Sequence, residues 1–405
     1  MTSVRERVRN MVQPTTDRRP TVDFDHHDQT IADRIHDVYR DLRSENPIQW
    51  SDHHGGFWIA TGYEPIHAIA SAPDDFTSEG ALIPDMTGGN ALVPQMLQDP
   101  EHRLYRTLLR EWFTPRRIAS FEPALRDLTV ERLAALESPV DVAAEFALSI
   151  PMEMILRVVG VREHNMDLIR DGVRYMVDQG GQDTTGAIDA WRTAMSFVKD
   201  VIIAPLREAP GDDLLSYLLK QQTDVPELTD DVIAAIGFSM IGAGFDTTYK
   251  TLSTTLAYFA ANPDVQAQAR KSPSAQVVEE ALRLFAPVAT GRTVHADTEV
   301  AGQPLKAGER ILLALPAANR DPLEFSEPDE PHFDRNNVRH LTFGSGIHKC
   351  LGMHLARLEL RVAIEEVFRA FDDFRVAPGQ EVRFVQSQVW GAVSVPIVFS
   401  RAKND

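Results

Sequence analysis

A helical pattern runs from Thr229 to Asn262, where Pro263 follows, and a helix of that length spans roughly 45–50 Å at 1.5 Å per residue. Thr229 is placed to cap it, and Asp230 and Asp231 fall in the first turn, where backbone N–H groups favour negative charge. A helix that crosses a whole molecule dictates how everything else must pack. Yet its middle, "MIGAGFDTTYKT" from Met240 to Thr251, is poorly composed for a helix. Gly237, Gly242 and Gly244 each cost about 1 kcal/mol relative to alanine. Thr247, Thr248, Thr251, Thr254 and Thr255 are β-branched and able to bond backward to carbonyls. Two readings fit. One is tight helix–helix packing with a structural kink; the other is room for something flat against the backbone, with a threonine hydroxyl diverting a carbonyl from the ladder.

Most of the chain also reads as helix at 3.6-residue periodicity. "IADRIHDVYRDLRSEN" puts Ile31, Ile35, Val38, Tyr39 and Leu42 on one face. "HRLYRTLLREWF" lies between Pro100 and Pro115, and "AIDAWRTAMSFVKDVIIAPLREA" closes at Pro210 and Gly211. Strand signals are short: "FWIAT" near residue 57, a hairpin around Gly302 in "EVAGQPLKAGERILLALP", and "VSVPIVFS" near the end. The expected fold class is mainly α with small β-sheets. With no repeat, low-complexity tract or linker, one domain over residues 1–405 is expected, its first twenty residues loosely ordered.

Cys350 is the single cysteine in 405 residues, so no internal disulfide forms and a reducing cytoplasm is the expected compartment. It sits in "FGSGIHKCLG", ahead of an apolar-periodic run that includes Leu351, Leu355, Leu358, Val362 and Val367. Gly344 and Gly346 suggest torsions or close approaches that side chains would block. A cysteine just before or at a helix N-terminus lies where aligned N–H groups favour a thiolate, and His348 and Lys349 add positive potential if they point that way. The plain alternative is an inert packing cysteine. A formal charge of −18 repels nucleic acid and anionic membranes, so neither is an expected partner. No run of about 18 uncharged apolar residues suggests a membrane span. Arg5, Arg7, Arg9, Arg18 and Arg19 lack the apolar core of a secretory signal.

Glu280 and Arg283 in "EEALRLFAP" are spaced to pair on one helix face, although Glu6–Arg9 and Glu366–Arg369 share that spacing and read as solvated surface pairs. The paired histidines His26–His27 and His53–His54 likewise read as surface residues.

Taken in order, these stretches resemble the cytochrome P450 family, the haem-thiolate monooxygenases, in a soluble bacterial form that is similar in part to the camphor-hydroxylating type. "FGSGIHKCLG" matches the family's cysteine loop at Phe343, Gly344, Gly346, Cys350 and Gly352. "AGFDTT" is similar to the oxygen-activation segment of the central helix, "EEALR" to the Glu-x-x-Arg pair, and "ANRDP" with "FDRNNVRHLTFG" to the approach to the cysteine loop. The resemblance implies haem b held between the long central helix and the cysteine-loop helix, with Cys350 as the axial ligand to iron. Donors aimed at the sulfur would tune how strongly the thiolate pushes electron density onto the metal. It further implies that His102, Arg106, Arg292 and His348 meet the propionates, that Phe343 and Gly352 border the ligand, and that Ala243 and Gly244 leave space for O2. Asp246 and Thr247 become an acid–alcohol pair that delivers protons to oxygen. One departure stands out: the arginine that often completes the Glu-x-x-Arg pair has His332 in its place.

The implied reaction is hydroxylation of a small hydrophobic substrate by O2, with electrons from NAD(P)H through ferredoxin reductase and a ferredoxin-type donor, in a monomer. Substrate contacts are expected from Met240, Ile241, Val288, Ala289, Val389 and Trp390, which are mainly apolar. Arg103, Arg106, Arg110, Arg116 and Arg117 gather basic charge that suits an acidic electron donor. The competing functions are a haem-thiolate sensor or carrier without turnover, which has no need of the acid–alcohol pair, and a peroxide-driven oxidation, which could dispense with it.

Overall fold

The computed structural model describes residues 19–161, 178, 181–335 and 338–402. Most of the amino-terminal stretch expected to be loosely ordered, residues 1–18, lies outside them. Five of the helices carry the site: α1 (Glu101–Arg110), α2 (Ser149–Val159), α3 (Asp230–Ala261), α4 (Ser274–Leu284) and α5 (Met353–Ala370).

The long helix α3 starts where its cap dictates, with the Thr229 hydroxyl accepting from the Val232 N–H. It runs without a break through its glycines and threonines. The threonines satisfy themselves locally: Thr247 Oγ1 donates to the Ala243 carbonyl at 2.8 Å, Thr251 to Thr247 at 2.9 Å and Thr255 to Thr251 at 2.7 Å. A buried helix thereby hides its hydroxyls without surrendering its ladder. Gly244 serves close packing, since a Cβ there would come within 2.6 Å of Ile155 on α2. By length and composition α3 could cross a membrane, but 67% of its most apolar window is buried inside the protein, which makes it a core helix.

The helix expected over 187–209 is interrupted in type rather than in course: Thr184–Phe197 is α-helical, Val198–Ile203 is a π-helix, and Ala204–Glu208 is α-helical again.

A five-stranded sheet flanks the helical body in the order β1 (Ile48–Ser51), β2 (Phe57–Ala60), β5 (Arg310–Ala314), β4 (Ala289–Val294), β3 (Phe76–Thr77). Its β2–β5 pair is parallel and the rest are antiparallel. The "FWIAT" signal is β2. The expected hairpin pairs Thr298–Val300 with Gln303–Leu305 around Gly302, whose φ of +79° suits glycine. The carboxy-terminal signal divides into Gly391–Ser394 and Pro396–Arg401, and the latter pairs with Phe371–Val376.

The histidine pairs depart from the surface reading. His53 is exposed, but His26 and His27 are 0% and 1% exposed. The segment carrying them runs beneath the turn after β1, where the Ser51 hydroxyl donates to the Phe24 carbonyl at 2.7 Å.

Two adjacent glutamates bind α4 to the approach to Cys350. Glu279 takes Arg357 of α5 through both carboxylate oxygens at 2.6 and 2.9 Å, and His340 at 3.2 Å. Glu280 takes Arg283 in the same two-pronged way at 2.7 and 2.9 Å, and the Arg283 guanidinium, fully buried, also donates to the carbonyls of Asn319, Pro328 and Glu330. The third partner is Arg335, whose Nε lies 3.2 Å from Glu280. His332 contributes only its backbone N–H to Glu280, at 2.9 Å, while its ring turns to Glu327.

Candidate active site

The cysteine loop is pinned from both ends. Gly344 and Gly346 have φ of +66° and +72°, and a Cβ on Gly346 would come within 2.3 Å of the Ala70 carbonyl oxygen, so the second position excludes any side chain twice over. The Cys350 N–H closes the loop on the Phe343 carbonyl at 2.8 Å, and α5 begins three residues after the cysteine with Gly352 as its N-cap. Cys350 opens onto a cavity whose opposite wall is α3 at Met240, Ala243, Gly244, Thr247, Thr248 and Thr251. The dense surroundings push the thiol pKa up, while the Gly352 N–H and the charges of Arg106 and Arg357 pull it down. The net direction is upward, toward the protonated thiol.

The cavity rim holds cations in want of anions. Arg292 is 7% exposed, donates to the Gly291 carbonyl at 2.7 Å, and has no carboxylate at ion-pair distance among the described residues. Burial brings its pKa down to about 10. His348 is held down to about 3, first by burial and then by the charges of Arg292, His102 and Arg106. The His102 and His348 rings stand 4.3 Å apart, and Asp99 lies 3.4 Å from His102. Arg106 reaches back to the Lys349 carbonyl, next to the cysteine. A buried guanidinium facing empty space is costly unless an anionic group completes the site.

The cavity thus joins a thiol on its floor, a buried cation on its rim and a helix with a hydroxyl on its far wall, a lining that suits an anionic ligand able to meet a sulfur. Sequence comparison agrees. The family model described as Cytochrome P450 matches residues 136–272 and 274–398. The chain belongs to the cytochrome P450 family. It is 31% identical to Cytochrome P450-terp of a Pseudomonas species over 403 residues, covering 91% of this chain and 94% of that protein. It is 32% identical to the Steroid C26-monooxygenase of Mycolicibacterium smegmatis, covering 90% and 92%. The structure of a mutant of P450 EryK in complex with erythromycin B superposes with a TM-score of 0.84 at 28% identity, covering 93% and 99%. The protein is thus a haem-thiolate monooxygenase dependent on haem b, and the residues in the pocket fit that group.

Within the P450 frame, the nine expected cofactor residues meet at one cavity: His102, Arg106, Ala243, Gly244, Arg292, Phe343, His348, Cys350 and Gly352 all line it. Gly244 differs from expectation in that its missing Cβ makes room for Ile155. Thr247 lines the cavity; Asp246 does not, lying fully buried behind the helix face with Lys250 at 3.1 Å. Of the expected substrate contacts, Met240 and Val288 face the cavity, whereas Ile241, Ala289, Val389 and Trp390 lie in the core. Periodicity explains these corrections. Ile241 is turned about 100° from Met240 on the helix, and Ala289 points away from the side shared by Val288, Thr290 and Arg292 on the strand. Val389 is bridged to Val288 through the backbone. Trp390 stacks on Phe384 and donates its indole N–H to the Ala32 carbonyl at 2.7 Å.

Two site residues escaped the sequence reading, and each had a signal. Glu359 lines the cavity from α5 at 1% exposure, one turn beyond Leu355 on the apolar stripe. Burial pushes its carboxyl well above the ordinary range, and Thr248 opposes that only in part. Lys250 stands fully buried in α3, the one cation in a threonine-rich stretch and four residues after Asp246.

Proposed function

We propose that the chain hydroxylates a small hydrophobic substrate with one oxygen atom from O2, taking electrons from NAD(P)H through a ferredoxin reductase and a ferredoxin-type donor. The observation that carries this reading is the apolar wall around Thr247: Pro94, Phe113, Ile155, Met240 and Val288 share its cavity. Such a wall removes water from the substrate and leaves few polar groups to orient it. The steroid named for the Mycolicibacterium relative is an apolar ring system of the class this wall accepts.

Haem supplies the reductive activation of O2 when bound; the chain supplies the ligand, the counter-charges and the protons. Cys350 is assigned as the iron ligand, with His102, Arg106, Arg292 and His348 toward the propionates. Thr247 already donates to Ala243, so its oxygen is left to accept a proton-bearing partner in the cavity. Asp246 stands behind it, bound to Lys250 at 3.1 Å, and Lys250 donates onward to Asp178 at 2.5 Å. Asp178 is 12% exposed at its side chain, so a line of ionisable groups runs from near the surface to the residue beside Thr247. On the outer face of α1 and just beyond it, Arg103, Arg110 and Arg116 are exposed without an ion-pair partner among the described residues, a surface suited to an acidic donor. A cytoplasmic monomer fits this assignment.

The test is a ligand screen that follows the haem spectrum, then turnover of each hit under labelled O2 with reductase and ferredoxin. One labelled atom in the product is expected, dependent on the donor. Product formed equally well from peroxide without donor, or no labelled product from any hit that shifts the spectrum, overturns the reading.

A further inference from the structure

Away from the haem cavity, the segment Asp23–Asp28 passes under the turn Asp52–Gly55, and four histidines converge there with three aspartates close by. The His26 ring lies 4.2 Å from that of His27 and 5.6 Å from that of His54, centre to centre. His54 Nε2 is 2.7 Å from Asp25 Oδ1, and His53 Nε2 is 2.7 Å from Asp23 Oδ1. His54 is held at a φ of +51°, a left-handed conformation uncommon outside glycine. His26 is fully buried, yet among the described residues neither of its ring nitrogens has a hydrogen bond of normal geometry; the nearby Ile83 carbonyl is taken by His27 Nε2 at 2.9 Å. Buried polar groups left in this way are uncommon and costly.

We propose that Asp25, His26 and His54 bind a divalent transition metal of the zinc class, with water in the fourth position. The ligand atoms of the three residues all lie within 4.8 Å of one another. Tetrahedral zinc needs roughly 3.3 Å between ligand atoms, so side-chain rotations of about an ångström close the site. Imidazole and carboxylate are a donor set that zinc accepts. Burial, reinforced by His27 and His54, holds the His26 pKa well below its usual value, so the ring is neutral with a lone pair to give. The Asp25 carboxyl is pulled the other way: burial raises it, but the bonds from His54 and the His27 N–H outweigh burial and keep it ionised. The metal would staple the amino-terminal segment to the β1–β2 turn, supplying a partner for one His26 nitrogen.

The test uses tag-free holoprotein, stripped with chelator, dialysed and titrated with Zn2+ by calorimetry. One equivalent per chain is expected, with a rise in Tm on saturation. The double variant Asp25→Asn/His54→Gln is expected to lose that equivalent, binding about 100-fold or more weakly, with an unchanged spectrum of the reduced, carbon monoxide-treated haem. Should the double variant not fold, His54→Gln alone carries the same expectation. No zinc uptake by the unmodified chain, or equal uptake by the folded variant, overturns the proposal.

Discussion

At Thr247 one hydroxyl serves both the helix and the cavity: its proton goes to the Ala243 carbonyl, and its oxygen remains for a partner on the open side. The sequence marked this position by crowding β-branched residues into a helix; the hydroxyl does bond back to a carbonyl, but the helix stays unbroken, so that carbonyl is shared and not diverted from the ladder. Truncating the side chain should leave packing almost untouched, because Thr247 lines the cavity. Thr247→Ala is therefore expected to keep the haem spectrum and substrate binding while electrons are lost to peroxide. The ratio of product to NAD(P)H consumed, with peroxide measured alongside, should fall roughly ten- to a hundredfold in line with loss of one proton-transfer group. Unchanged coupling would remove Thr247 from the proton path. Which neighbours face the cavity was legible only up to periodicity: Met240 lines it, while adjacent Ile241 lies in the core. Naming whole segments as contacts ignores the 100° turn between consecutive helical residues.

Between elements, the paired glutamates of α4 do the joining. Glu279 reaches α5 and the histidine ahead of the cysteine loop, and Glu280 gathers two arginines and a backbone N–H. The Glu-x-x-Arg spacing gave half of this arrangement. The other half was hidden because Arg335 enters from a position two residues after Phe333 instead of from the site of His332. Only the chain's path through 328–335 brings it within reach, and no local periodicity encodes that path. The buried Arg283 makes the network intolerant of losing its anion. Glu280→Gln should cost about 3–5 kcal/mol in denaturant unfolding, as for a buried ion pair deprived of one partner. Arg335→Leu should cost only about 1 kcal/mol, because Glu280 retains Arg283. Equal costs for the two would mean that Arg335, not Arg283, carries the joint.

Across the whole molecule, two carboxyls, one half-buried and one fully buried, tilt stability in opposite directions with pH. Burial raises the Glu279 carboxyl, but the bonds from Arg357 and His340 outweigh it and bring it down to about 2. Its contribution is complete above about pH 4.5 and is lost as pH falls toward 2. Glu359 is pushed upward by burial, so above about pH 4.5 the unfolded chain ionises while the folded one keeps its proton, and stability declines as pH rises. Glu359→Gln should thus raise Tm at neutral pH, by the equivalent of about 1 kcal/mol or more, with the gain shrinking toward pH 4.5. A gain that does not change with pH would mean the carboxyl is ionised in the folded protein.

The same scale governs how electrons arrive. A chain of net charge −18 repels an acidic protein at long range, so an acidic donor must be captured by local charge. Arg106 of α1 bonds the Lys349 carbonyl beside Cys350, and Arg117 is engaged by Asp212 and Trp112. Of the basic cluster read in the sequence, Arg103, Arg110 and Arg116 remain exposed for a partner. Reversing all three to glutamate should slow the second-order rate of reduction by an acidic ferredoxin about 10- to 100-fold at low salt, with haem content and substrate binding intact. Raising ionic strength from about 0.01 M to 0.15 M shortens the screening length from about 30 to 8 Å, so the unmodified protein should slow toward the variant's rate as the long-range field fades. The variant itself should speed up slightly, since salt then screens repulsion in place of attraction. Stopped-flow reduction across that salt range separates the two cases: converging rates place the docking face on the cysteine side of α1, and parallel, salt-independent rates would put the donor elsewhere.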